Sequence, residues 1–431
     1  MRSYTRLLLL LSTLLLVGNT LLVLFADPLN LFGLARLPGV NAFKNTYSDY
    51  TRIAKPIQVE WTAPQRLALG SSRAELGLRT SNEAWAQAYP GTGFNAALSG
   101  ASIGELHDSL AHAIHTAKPR SVVLGIDFFM FSAGKPTRYA YPQLLAGKDD
   151  GPIQSANRRL EQLRLALFSP AMTRASIRTL RKQKPIDDEF HLDGQRNNQR
   201  ELLKLREDGY ERAFVRFEEG FAHSTWTACQ DNRFSYGVAS GNTLARYQDL
   251  LRMARDADID LKIFISPVHA RLLETLDATE LWPAFERWKR DIVAATEHVN
   301  AEVPAGRRLE VVDFSGYHRY SMEPLPLAPN EEMHWYLDSS HYHERLGDQM
   351  LQQLFTGLTG EDGQFGVALD GTVLDAHLAR IRSAQTAYRE AHPGQQQRLR
   401  ARAQEQLEQR RRSGERCLAP GNLEDQAPVT S

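Results

Sequence analysis

The sequence predicts an α/β fold in which a parallel β-sheet carries helices on both faces. Two observations indicate it. Short apolar runs alternate with amphipathic helical segments along much of the chain, and this alternation is typical of parallel sheets. With 42% hydrophobic and 24% charged residues, the composition is that of an ordinary globular protein, not of a disordered one. The 431 residues suffice for one large or two medium domains.

The first element is an apolar segment at residues 7–25, which contains no charged side chain. As a helix it would span roughly 28 Å, close to the ~30 Å of a bilayer core. Arg2 and Arg6 precede it and Asp27 is the first charge after it, so the positive-inside tendency places the N-terminus in the cytoplasm. We therefore predict an uncleaved single-pass anchor over residues 1–26. A cleaved signal peptide and a buried helix of a soluble protein are the alternatives.

No later segment is long and apolar enough to cross a bilayer, so the rest of the chain is expected outside the cytoplasm. In a Gram-negative cell this is the periplasmic side of the inner membrane. There Cys229 and Cys417 either form one disulfide or remain unrelated thiols. The location disfavours nucleotide cofactors, and the 51 basic residues balance the 51 acidic ones. We expect no cofactor and no nucleic-acid partner.

Five apolar runs are expected to form the sheet. They lie at residues 66–70, 93–98, 121–126, 261–266 and 309–314. Between the second and third runs, Ile103, Leu106, Leu110 and Ile114 recur at the spacing of an amphipathic helix over residues 102–117.

Three further segments depart from this pattern. Residues 27–64 contain four prolines and are predicted to be an irregular lead-in. Residues 132–242 are charged and helix-compatible, which indicates a helical insertion or lid between two strands. Residues 357–431 combine a glycine-rich link with a charged helical tail. The tail is interpreted as a solvated helix, with contact to an anionic polymer as the alternative.

Polar motifs follow several of the strands, at the edge where parallel sheets bind ligands. A Gly-Ser-Ser turn after the first strand presents Ser72, Gly100 follows the second, and Asp127 ends the third. Late in the chain, Asp338 precedes His341 by three residues, an offset at which a carboxylate can orient an imidazole. Each motif alone is common in turns or helix caps, but all four in this order and at these strand ends are less easily explained in that way.

In that order the motifs resemble the SGNH hydrolases, also called the GDSL family. The family's blocks are Gly-Asp-Ser, a glycine after the second strand, Gly-x-Asn-Asp, and a late Asp-x-x-His. Residues 70–72 stand for the first block and residues 338–341 match the fourth. The resemblance implies Ser72 as nucleophile, His341 as general base oriented by Asp338, and Gly100 as an oxyanion donor.

The resemblance covers residues 66–131 and 261–354. It implies a three-layer, flavodoxin-like SGNH domain over residues 65–356 that contains the insertion at about 132–242.

Two residues depart from the family pattern. Ser71 replaces the aspartate of the first block, and Asp127 stands where the third block has an oxyanion-donating asparagine. Asp127 is then either protonated or paired with Arg73. In either case the oxyanion would depend on the backbone N–H groups of Ser72 and Gly100.

Two histidines near the motifs allow more than one role. His269 follows the fourth strand and either lines the cleft or has a packing role. His341 and His343 are two residues apart without an acidic cluster to complete a metal site, so we predict none.

With its anchor and its Gly-Ser-Ser-Arg turn, the chain is also similar to the alginate O-acetylation proteins and the D-alanyl-transfer protein of teichoic acid synthesis. That similarity implies an O-acetyltransferase or acetylesterase acting on a cell-envelope polysaccharide, with a multi-spanning membrane acyltransferase as partner. The alternatives are a non-catalytic binding or assembly protein on the same fold and, less favoured, a soluble lipase.

Overall fold

The computed structural model describes residues 2–132, 135, 138–225, 236–238, 241–302, 308–326, 331–357 and 365–413. Cys229 and Cys417 lie outside these ranges, so the choice between a disulfide and two unrelated thiols also lies outside the described residues. The strands are β1 (Arg66–Leu69), β2 (Gly93–Asn95), β3 (Ser121–Ile126), β4 (Gly237–Val238), β5 (Gly241–Asn242), β6 (Asp260–Ile265), β7 (Val311–Asp313) and β8 (Val367–Leu369).

Helices form most of the remaining structure. They are α1 (Arg2–Ala26), α2 (Thr51–Thr62), α3 (Ser72–Gly77), α4 (Glu83–Ala88), α5 (Ile103–Thr116), α6 (Pro152–Phe168), α7 (Pro170–Arg181), α8 (Gln199–Asp208), α9 (Tyr210–Thr225), α10 (Thr243–Asp256), α11 (Ala270–Ala278), α12 (Trp282–Ala301), α13 (Glu344–Thr356), α14 (Leu374–Ala391) and α15 (Pro393–Ser413).

The main sheet has six strands in the order β2-β1-β3-β6-β7-β8. The first five are parallel, and β8 pairs antiparallel with β7 at the edge. Counted in chain order, the parallel strands run 2-1-3-4-5, an order found in doubly wound sheets of the flavodoxin type. The predicted parallel α/β sheet is confirmed. The edge strand β8 was not predicted because it is a three-residue segment in a glycine-rich stretch.

Helices cover both faces of this sheet, which makes three layers. Val122 and Leu124 of β3 belong to one apolar cluster with side chains from α5, α10 and α12. Val123, between them, belongs to a second cluster with side chains from α3, α4 and α13, because successive strand residues point to opposite faces.

The lead-in is more regular and the tail more closely packed than predicted, whereas the insertion is helical as predicted. The lead-in contains α2, whose Ala54 and Ile57 are fully buried. In the tail, α15 packs on α9 and α11 with Leu399 and Ala403 buried. The insertion is helical, with α6 to α9 between β3 and β6. At the N-terminus, α1 is long and apolar enough to cross a membrane, and its side chains over residues 3–18 are exposed.

Two glycines allow α3 and α13 to pack closely. A Cβ built on Gly347 of α13 would lie 1.8 Å from the Gly77 carbonyl oxygen of α3, and a Cβ on Gly77 would lie 1.9 Å from the Tyr342 ring. Neither backbone carbonyl nor a fully buried tyrosine can move aside at low cost. The helix that begins at Ser72 is thereby held against the helix that follows His341.

We predict that Gly347→Ala destabilises the protein by about 1–3 kcal/mol, the usual cost of overpacking a core. The free energy of unfolding in urea, measured on both proteins, checks this value. Gly220→Ala is the matched control, since Gly220 is an exposed glycine in α9 with no atom within 4 Å of a built Cβ. Its higher helix propensity should leave stability unchanged or raise it by up to about 1 kcal/mol. Equal stability of Gly347→Ala and wild type would contradict the close-packing argument.

Candidate active site

The carboxyl ends of β1, β2 and β3 meet at one edge of the sheet. Ser71 and Ser72 follow β1, Gly100 lies in the turn beyond β2, and Asp127 follows β3 directly. The chain passes from β1 to β2 on one side of it, and the next connection crosses from β2 to β3 on the other side of β1. Such a reversal of strand order opens a crevice where doubly wound sheets bind ligands.

Ser72, His341 and Asp338 form a continuous hydrogen-bonded chain at this edge. The Ser72 Oγ lies 2.8 Å from His341 Nε2, and His341 Nδ1 lies 2.7 Å from Asp338 Oδ2. An ionised carboxylate only accepts, so Nδ1 carries the proton and Nε2 is free to accept the hydroxyl proton of Ser72. Ser72 is half-buried. The three predicted catalytic residues are therefore brought together in the arrangement of a serine triad.

Local hydrogen bonds hold Asp338 in place. Its Oδ1 accepts the backbone N–H groups of Ser340 at 2.7 Å and His341 at 2.8 Å. Burial opposes ionisation of this carboxyl group, but its electrostatic interaction and hydrogen bond with the His341 ring and these backbone hydrogen bonds outweigh burial and lower the pKa of Asp338. An isolated antiparallel β-bridge between the backbones of the buried Tyr336 and Tyr342 closes the base of the loop that carries Asp338 and His341.

The Asp127 carboxylate accepts hydrogen bonds from two neighbouring side chains. Arg73 Nη1 donates to Asp127 Oδ1 at 2.5 Å, and the Ser71 hydroxyl donates to Oδ2. Arg73 Nε also donates to the Ser340 carbonyl oxygen at 3.2 Å and to the Ser340 hydroxyl at 3.1 Å. Of the two arrangements considered for Asp127, the structure has the ion pair with Arg73. Arg73 thus connects the end of β3 to the loop that carries His341.

Gly100 has a φ of +67°, a conformation that favours glycine. Its carbonyl oxygen accepts a hydrogen bond of 3.2 Å from Lys135 Nζ. Burial lowers the pKa of Lys135, while Asp127 and Glu105 act in the opposite direction. No sequence pattern marks Lys135, because it lies at the start of the insertion outside any motif.

His269 is fixed by backbone groups on both ring nitrogens. Nε2 donates to the Glu323 carbonyl oxygen at 2.7 Å, and Nδ1 accepts the N–H of Arg271 at 3.2 Å as the N-cap of α11. Its backbone N–H donates to the Ser339 carbonyl oxygen at 3.0 Å, within the loop of Asp338 and His341. Burial lowers the pKa of His269 to about 3, so the ring is neutral. This geometry gives His269 a positioning role; its proposed part in binding substrate stays a prediction.

A cleft of about 460 Å³ lies beside the triad. Phe217 of α9 contacts His341 there edge to face, with ring centroids 5.3 Å apart. Besides Asp338, the charged side chains lining the cleft come from the insertion: Arg196, Glu201, Lys204 and Arg216. Sequence reasoning identified a lid but none of these residues, since nothing in a charged helical pattern shows which face meets the site.

Comparisons with known proteins do not assign this chain to a family. No protein-family model matches the chain, and no curated protein matches it significantly. Among the described residues, no group of three or more histidine, cysteine, aspartate or glutamate side chains is arranged to hold a metal ion.

The neutral His269 predicts a pH dependence of stability. Its folded pKa of about 3 lies below the ordinary 6.5, so the unfolded chain binds more protons and stability falls as the pH drops below about 6.5. Removing this ionisable group should reduce the pH dependence of the free energy of unfolding by up to about 1.4 kcal/mol per pH unit. We expect His269→Asn, which retains a capping side chain, to be less stable than wild type at pH 7 and to approach it at pH 5.

Urea unfolding at several pH values tests this, with the exposed His115→Asn as control. The control should keep the wild-type slope. If His269→Asn also keeps it, the buried neutral histidine does not contribute to acid destabilisation.

Proposed function

We propose that this protein is a serine acyl-ester enzyme of the SGNH type. The observation that carries the proposal is the 2.8 Å separation of Ser72 Oγ and His341 Nε2, with Asp338 on the other ring nitrogen. The parallel strand order and the position of Ser72 directly after β1 support the same class.

In the first half of the reaction, Ser72 Oγ attacks the carbonyl carbon of an acyl ester while His341 Nε2 takes the hydroxyl proton. Asp338 stays ionised and stabilises the imidazolium. Collapse of the tetrahedral intermediate breaks the bond to the leaving alcohol, which receives the proton from His341. The acyl group is then esterified to Ser72.

In the second half, a sugar hydroxyl or water attacks the acyl-serine, and His341 again serves as base. A sugar hydroxyl gives a new ester and water gives the free acid; both restore Ser72. The acyl group is proposed to be an acetyl-type group, and the acceptor or donor a cell-envelope polysaccharide.

The developing oxyanion needs hydrogen-bond donors. Asp127 has no amide to offer, and its carboxylate is occupied by Arg73 and Ser71. Backbone N–H groups remain: Ser72 is the first residue of α3, where an N–H has no partner within the helix, and Gly100 follows the neighbouring strand. We propose these two groups as the oxyanion donors.

The apolar α1 supports a membrane-anchored protein with its catalytic domain outside the cytoplasm. This location suits a partnership with a multi-spanning acyltransferase that delivers acyl groups across the membrane. A non-catalytic binding or assembly role on the same fold is the second candidate. One observation favours it, namely that the third motif carries a carboxylate in place of an amide donor.

Labelling of the full chain with a fluorophosphonate probe distinguishes these candidates. We expect wild type to be labelled at Ser72 and both Ser72→Ala and His341→Ala to lose labelling, because one removes the nucleophile and the other its base. Asp338→Asn should slow labelling by a factor on the order of 10⁴, the effect of losing the orienting carboxylate in serine triads.

Ser155→Ala is the matched control, since Ser155 is a partly exposed serine on α6 that does not line the cleft, so its loss should leave labelling unchanged. Circular dichroism of each variant shows that it is folded. A folded wild type that takes no label would favour the binding role over the enzyme. For a labelled enzyme, acetate release compared with acetyl transfer to an added oligosaccharide separates hydrolysis from transfer.

A further inference from the structure

The end of α1 is held by a hairpin of the insertion. Asn19 Nδ2 donates to the Leu167 carbonyl oxygen at 3.0 Å, and the Thr173 hydroxyl donates to Asn19 Oδ1 at 2.6 Å. Further along, Val23 is fully buried in a cluster with Met172 and Ala175 of α7. The α6–α7 turn therefore lies beside Asn19, and α7 runs along α1 from there towards Ala26.

This contact reaches into the apolar part of α1. Asn19 precedes the end of the helix by seven residues, roughly 10 Å at 1.5 Å per residue. From Leu7, the first residue after Arg6, to Gly18 the exposed helix covers only about 18 Å, well short of a bilayer core of ~30 Å. If α1 spans the membrane, the α6–α7 turn must lie below the membrane surface on the exported side.

The α6–α7 hairpin has an exposed apolar face, as a position below the membrane surface requires. Ile153, Ala156, Leu160, Leu163 and Leu167 recur at three-to-four spacing and so share one face of α6. Ile153 is 73% exposed, Leu160 is 67% exposed, and Phe168 at the turn is 44% exposed.

Polar groups near the turn agree with the same position. An asparagine side chain without hydrogen-bond partners would be costly in lipid. The hairpin provides an acceptor for the amide nitrogen of Asn19 and a donor for its amide oxygen. Arg164 and Arg174 are exposed on α6 and α7, where long side chains can extend to the headgroups.

We propose that the α6–α7 hairpin is seated in the outer leaflet of the membrane that α1 crosses, with the apolar face of α6 at the boundary between headgroups and acyl chains. This inference rests on the proposed membrane anchoring of α1 and not on the proposed chemistry of Ser72. The domain is then held at a fixed height and orientation instead of hanging from a flexible tether.

The test uses the full chain with Cys229 and Cys417 replaced by serine and one cysteine introduced for an environment-sensitive fluorophore. Leu160→Cys reports on the hairpin. Leu14→Cys is the bilayer control within α1, and Asp256→Cys is the water control on α10. Each protein is reconstituted in vesicles of phosphatidylethanolamine and phosphatidylglycerol, with and without lipids that carry a spin-label quencher. Urea unfolding of each protein is compared with that of the cysteine-free parent, which shows whether the introduced cysteine disturbs the fold.

We expect the fluorophore at position 160 to show a blue-shifted emission and to lose intensity most with quenchers near the headgroup. Position 14 should be quenched most by labels deep in the acyl chains, and position 256 by neither. If position 14 is quenched while position 160 behaves like 256, the hairpin is outside the membrane and the proposal is wrong. A blue shift at 160 without lipid quenching would also overturn it, because a second copy or another protein would then cover α6.

Quenching at neither 14 nor 160 would show that α1 does not enter the bilayer, which overturns this inference together with the anchor. Fluorophosphonate labelling is independent of all these outcomes, so failure of the membrane proposal and failure of the proposed chemistry are distinguishable.

Discussion

The contact between α3 and α13 determines where the candidate nucleophile and its base meet. Ser72 and His341 are 269 positions apart in the chain, and each lies next to one of these two helices. Only residues without a Cβ at Gly77 and Gly347 permit the approach. A side chain there would separate the helices by more than the tolerance of a hydrogen bond, so the geometry of the site depends on packing some distance behind it.

Charge is distributed in this site as two separate pairs. Asp338 is paired with His341, and Asp127 with Arg73. A buried carboxylate without a partner would cost several kcal/mol, so Asp127 in place of an amide is compatible with folding only because Arg73 accompanies it. The same arginine donates to Ser340 and thereby links Asp127 to the loop that carries Asp338 and His341.

Much of the fold and the central residues of the site could be predicted from the sequence for physical reasons. Parallel strands buried on both faces produce apolar runs, and motifs that follow such strands must meet at one edge. The partner of Asp127 was left between two alternatives, because spacing does not specify which way a side chain turns. Lys135, Phe217 and the edge strand β8 were missed, since long-range packing places them and no local pattern reports it.

The insertion connects the anchor with the cleft. Its first half, α6 and α7, packs on α1, while its second half supplies Phe217 beside His341. Between these halves Glu189 accepts hydrogen bonds from Ser48 of the lead-in and from Arg200 of α8. Arg178 of α7 pairs with Asp49 of the lead-in, so the two halves are joined through the lead-in. If the first half is seated in lipid, the second half holds the mouth of the cleft at a constant distance from the membrane. Under the proposed function, an acyl donor delivered by a membrane protein would then meet Ser72 without a search by a mobile domain.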